Sequence, residues 1–338
     1  MSVAVVSVGA KTAVGLNARQ TGFMVRAGYP GMSEAPLANA EGEPIAMAFV
    51  QSVDGALVGA ERLAVLARAP FEEAVIPIRD LAAEVYVVID EDQEDEPFAI
   101  RLLEAMVKRA MPAASVEVKA TGPAGPGALI ASAVRALESR RADVVVIGGV
   151  HSDYDPRAIA ALEQSGRLFS RENLDSRIPG EAAAFFVLMR AGDARRQGLA
   201  ALARIVGTGS GIERARLDND VPAHEALGLT AAIRQATEPL AEGQTVGWIL
   251  SDLTFEMWRQ LEWQSVLMRV QEVLGNPYYA DAPAQRIGYL GAAAVPLFVA
   301  VAAAGWQYGF APAPLMVAMA GGDLGARTAL VLGQVSEV

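Results

Sequence analysis

Between Ala120 and Gly149 the chain reads Ala120-Thr121-Gly122-Pro123-Ala124-Gly125-Pro126-Gly127, then small residues to Arg141, then Ala142-Asp143-Val144-Val145-Val146-Ile147-Gly148-Gly149. This pattern predicts a strand, a tight glycine turn, a buried helix and a second strand. Such a turn can expose a nucleophile in an α/β enzyme, because it points one side chain away from the sheet. Here it offers no nucleophile beyond Thr121.

Further strands and helices alternate on both sides of this unit. A first strand at about 3–8 leads through Thr12-Ala13-Val14-Gly15 into a helix at about 18–27, and the segment 28–43 reads as loop from its Gly, Pro, Ser and Asn content. A helical stretch at about 59–81 carries Pro70 and Pro77, which are expected to interrupt it. Residues 84–90 form a continuous apolar run, as in a parallel strand covered on both faces. The acidic turn from Asp90 to Glu96 reads as solvated surface ahead of a helix at 97–110. Farther on, Ile178-Pro179-Gly180-Glu181-Ala182-Ala183-Ala184 enters a strand. Its glycine and small residues suit a backbone passing close to a neighbouring element. From Leu199 the pattern restarts, with helices expected at 224–236, 257–273 and 290–307.

These features resemble the thiolase-like condensing enzymes, above all the β-ketoacyl synthases. The specific matches are the Thr12–Gly15 loop, the turn at Gly122–Gly127, the Gly148-Gly149 strand end and the Ile178–Ala184 run. The resemblance implies an α/β fold of duplicated halves, 1–198 and 199–338, joined as one compact five-layer α-β-α-β-α unit. It also implies a cysteine between turn and helix, and two histidines. Counting back from Arg141-Ala142-Asp143 puts Pro123 at the cysteine's position, and the chain contains no cysteine at all. The first histidine's turn aligns with Val246 to Thr254, placing Asp252 at the histidine and leaving Thr254 as the family's threonine. The second aligns with Ala284 to Ala294, where one residue is missing before Gly291, so the position falls on Tyr289 or Gly288 and the family's lysine on Ala284 or Pro283.

Composition removes several other functions. Without cysteine there are no disulfides, iron–sulfur clusters or thiolate zinc sites, and with only His151 and His224 a multi-histidine metal site is not expected. No cofactor is implied. A net charge of −11 disfavours nucleic acid and anionic membranes, and is awkward for an acidic carrier protein. The run from Arg286 to Asp323 carries no charge between its ends, yet Pro296, Pro312 and Pro314 break it. It reads as a buried helix and strand rather than a membrane span. The N-terminus, without a basic segment, reads as a core strand, and cytoplasmic residence is the expectation.

The expected function is therefore that of a ketosynthase-like protein without condensing activity, a pseudoenzyme acting by binding. The resemblance implies a homodimer, or a heterodimer with a ketosynthase-like protein as chain-length factors form, with an acyl carrier protein or acyl thioester as candidate ligand. The alternative is an acyl-thioester hydrolase, decarboxylase or acyltransferase in which Asp252 and Tyr289 act as base and acid, or Thr121 takes part. Against it, Asp252 and Thr254 read as caps of the following helix, and Tyr289 as filling space left by a histidine. His151 and His224 read as structural.

Overall fold

The computed structural model describes residues 2–91, 93, 96–275 and 280–335. Its first half contains β1 (Val3–Thr12), α1 (Ala18–Arg26), the hairpin strands β2 (Ser33–Ala38) and β3 (Pro44–Met47), and α2 (Gly59–Val75). It continues with β4 (Glu84–Ile89), α3 (Glu96–Ala110), β5 (Ser115–Ala120), α4 (Gly125–Glu138), β6 (Val144–Ser152), α5 (Pro156–Gln164), β7 (Glu181–Arg190) and α6 (Ala191–Arg196). The second half contains β8 (Ala203–Ile212), α7 (Leu227–Thr237), β9 (Trp248–Ser251), α8 (Met257–Val270), α9 (Ala284–Ile287), α10 (Ala294–Gln307), β10 (Leu315–Gly321) and β11 (Ala326–Gly333).

Apart from the hairpin, the strands form a nine-stranded sheet in the order β5-β4-β6-β7-β1-β8-β11-β10-β9. The halves meet where β1 pairs antiparallel with β8 over only two residue pairs. Reading outward from that seam, each half runs first strand, last strand, next-to-last, second. The two halves share this strand order. In the first half β5 follows as the outermost strand, whereas beyond β9 the described residues supply only isolated bridges from Leu274 to Val246 and from Asp281 to Leu250.

Helices cover the outer faces of both halves of the nine-stranded sheet and fill the space between the halves. Strands of both halves contact α4 and α10, which form the middle layer; α2 and α3 cover the outside of the first half, and α7 and α8 that of the second. A helix flanked by sheets has no solvent face, so its sequence must be apolar all round. That accounts for α10, in which every residue from Ala294 to Trp306 is buried. Among the described residues no helix is long and apolar enough to cross a membrane.

Some boundaries differ from the sequence expectation for local reasons. The segment read as loop holds β2, which pairs with β3. Pro70 lies inside α2 without ending it, and a 3-10 turn, Ile76–Ile78, takes up Pro77. The middle helix begins at Ala294 instead of Leu290 because a 3-10 turn, Gly291–Ala293, precedes it; Pro296 then falls in the first helical turn, where its missing N–H costs no bond. Likewise α7 starts at Leu227, after Ala226 in the left-handed conformation.

Candidate functional site

The turn that ends β5 is built as the sequence predicts. Gly122 has φ +62, a conformation that disfavours a side chain, and its N–H donates to the Ile89 carbonyl at 3.1 Å. Pro123 follows and lines a cleft of 560 Å³ together with His151, Arg177, Tyr289 and Asp323. Thr121 is exposed and Pro123 carries neither an N–H nor a reactive atom, so the turn presents no nucleophile to the cleft.

The cleft floor is set by the sheet. Parallel pairing places Val88 of β4 opposite Gly149 of β6. Two residues beyond each, on the same face, stand Asp90 and His151. His151 Nδ1 and Asp90 Oδ2 are 2.5 Å apart, and the other Asp90 oxygen accepts the Ala292 N–H at 2.9 Å. On the far side of the imidazole, Nε2 lies 3.0 Å from Asp153 Oδ2, within ion-pair range but off the direction of a hydrogen bond. Asp153 Oδ1 is 3.5 Å from Arg177 Nη2, and Arg177 Nη1 is 3.9 Å from Asp323 Oδ2. Arg167 donates to Asp323 at 2.7 Å and to Glu256 at 2.6 Å.

These residues make an alternating chain: Asp90, His151, Asp153, Arg177, Asp323, Arg167, Glu256. It crosses between the halves, since Asp323 sits in the turn between β10 and β11 and Glu256 just ahead of α8. Each cation stands between two carboxylates. Burial alone would discharge His151, but Asp153 and Asp90 outweigh it and push its pKa up to about 10. Burial likewise works against an ionised Asp153, yet His151 and Arg177 pull it down to about 2. Both are charged at neutral pH, so the imidazolium has no lone pair with which to act as a base.

Tyr289 is held against this chain. Arg177 lies 4.0 Å over its ring, and His151 meets it edge-on with centroids 5.0 Å apart. Its N–H donates to the Ile178 carbonyl at 2.8 Å. Gly180 makes the approach possible, since a Cβ there would overlap the Tyr289 backbone. That is the close passage expected of the Ile178–Ala184 run; Glu181, the next residue, is fully buried against Arg62. Burial, chiefly, and the nearby Asp323 drive the Tyr289 phenol well above its ordinary pKa although Arg177 opposes them, so it stays neutral.

Asp252 and Thr254 do not cap α8. Asp252 is buried, takes a 2.6 Å bond from Arg259 and a 2.9 Å bond from the Gly321 N–H, and does not line the cleft. Thr254 donates to Glu256 at 2.8 Å, and the first N–H of α8, on Met257, goes to Asp175 at 2.6 Å. The structure thus brings Pro123 and Tyr289 to one cleft and leaves Asp252 beneath the β10–β11 turn. His224 is exposed in a 3-10 turn, Ala223–Glu225. His151, expected to be structural, lines the cleft. Asp90, expected in a solvated turn, holds that histidine; Asp92, Glu94 and Asp95 of the same turn lie outside the described residues. No cluster of metal-ligating type occurs among the described residues.

Fold and cleft together define an α/β protein of the thiolase-like fold. Residues 111–194 match the family model of the β-ketoacyl synthase N-terminal domain. Among similar solved structures, the ishigamide ketosynthase/chain length factor has a TM-score of 0.82 at 16% identity, covering 99% of both chains. A type II polyketide ketosynthase in complex with its acyl carrier protein gives 0.82 at 14%, with 99% of each chain covered. The ketosynthase from module 6 of the bacillaene synthase of Bacillus subtilis 168 gives 0.78 at 14%, covering 99% of this chain and 72% of that one. The chain is ketosynthase-like in fold. No curated protein matches it.

Proposed function

We propose that this ketosynthase-like chain is a non-condensing binding subunit. The observation that carries the reading is the cleft itself: its elbow residue is Pro123, no thiol exists anywhere in the sequence, and its one histidine stands between two carboxylates, Asp90 and Asp153. Thiolate attack needs a nucleophile and a base or enolate stabiliser poised at the same carbon, and neither is present in the positions equivalent to the family's cysteine and histidines, Pro123, Asp252 and Tyr289. A base–acid pair of Asp252 and Tyr289 is disfavoured, because Asp252 is engaged by Arg259 and the Gly321 N–H away from the cleft.

The subunit works as a dimer, with itself or with an active ketosynthase-like partner. Strand β5 supports this reading: it is the outermost strand of its half, and none of its residues is buried. An unpaired edge beside the elbow is a template for a second strand. The similarity to a ketosynthase/chain length factor is consistent with a heterodimer.

The test is release of free thiol from acetyl and malonyl thioesters of coenzyme A and of a carrier protein. Release at the buffer-blank level is expected for every thioester. Release above blank that disappears in Asp252→Asn or Tyr289→Phe would replace this reading with an enzyme.

A further inference from the structure

Resting on the reading of the cleft as a binding site, we infer that it selects uncharged acyl ligands and rejects those ending in a carboxylate. The charge order of its floor sets this preference. Three cations, His151, Arg177 and Arg167, are each flanked by two carboxylates from the set Asp90, Asp153, Asp323 and Glu256. The chain therefore begins and ends in a carboxylate and carries one negative charge in excess. All of that chain but Glu256 lines the cleft, and with Glu91, Asp155 and Arg157 the lining holds five carboxylates against four cations.

A ligand carboxylate approaching Arg177 meets Asp153 and Asp323 on the same guanidinium. Like charges a few ångströms apart in a partly dehydrated site repel strongly, which is why two carboxylates sharing a site do not both ionise easily. A neutral carbonyl escapes that penalty. It can still use the donor capacity of Arg177, whose Nε is buried and without a hydrogen-bond partner, once the guanidinium shifts on the Tyr289 ring. Aliphatic groups of Leu162, Ala158, Ala161, Leu217 and Leu324 also line the cleft and suit an alkyl chain.

The experiment is isothermal titration calorimetry of the whole chain with three probes of similar size: butyryl-pantetheine, malonyl-pantetheine and the methyl ester of malonyl-pantetheine. The two neutral probes should bind at least about tenfold more tightly than the malonyl probe. Asp323→Asn, at the most exposed carboxylate of the chain, should then raise malonyl affinity about tenfold relative to that of the neutral probes. Thermal melting checks that this variant is folded, and the wild-type comparison stands without it. Equal or tighter binding of the malonyl probe overturns the charge selectivity while leaving a binding cleft intact. Absence of heat with all three probes overturns the acyl-binding cleft and the selectivity with it.

Discussion

His151 shows how a residue's neighbours set its chemistry. Alone, an imidazole titrates near neutrality; between Asp90 and Asp153 it is a fixed cation. Removing it leaves the buried Asp153 and the half-buried Asp90 facing each other, so His151→Asn should lose about 3 kcal/mol of stability at about pH 6, read by urea denaturation. The pH dependence has a definite sign. A cation whose pKa rises on folding from 6.5 to about 10 stabilises fully below the lower value and loses that effect as pH climbs through the upper one. The gap between wild type and variant should therefore narrow from about pH 6.5 toward pH 10. A gap that stays constant or widens over that range would mean the imidazole is neutral in the folded protein. Asp153 behaves oppositely: with a folded pKa of about 2 against 3.8, its contribution persists at neutral pH and fades only in strong acid.

At the scale of elements, the middle layer depends on close approach between halves. Gly127 in the first turn of α4 lies against Thr328 of β11, and a Cβ on it would overlap Thr328 Oγ1, which donates to the Gly209 carbonyl at 3.1 Å. Helix propensity alone favours Gly127→Ala by about 1 kcal/mol. Packing should win, with a net loss of about 2 kcal/mol, because neither sheet can retreat from a helix enclosed on both sides. Adding Thr328→Ala should restore most of the loss, and a double-mutant cycle by thermal melting measures the coupling. Additive losses would show that α4 and β11 are not in register as described. The Ile178–Ala184 run is a second such contact, where Gly180 carries Tyr289 from the other half toward His151.

For the whole molecule, an exposed β5 edge predicts a sedimentation mass of twice 35.4 kDa, or a stable complex with a ketosynthase-like partner. Val118→Glu, which sets like charges across a paired edge, should return the chain to monomer, and because Val118 also packs against the core of the first half the melting temperature should fall as well. Retention of the dimer in that variant would move the interface elsewhere. The sequence by itself determined the alternation of strands and helices, the glycine turn at the elbow, the all-apolar middle helix and the lack of any thiol. These are legible because backbone conformation, helical and strand periodicity, and composition act over a few neighbouring residues. Asp252 and Thr254 show the limit of that reach: a local capping pattern describes them well, and only packing directs Asp252 to Arg259 and Gly321. Tertiary structure alone decided the charged floor of the cleft. Its seven members are scattered from Asp90 to Asp323, and no local period marks them. Their protonation depends on partners that meet only when parallel pairing sets β4 beside β6 and the β10–β11 turn of the second half closes over the first.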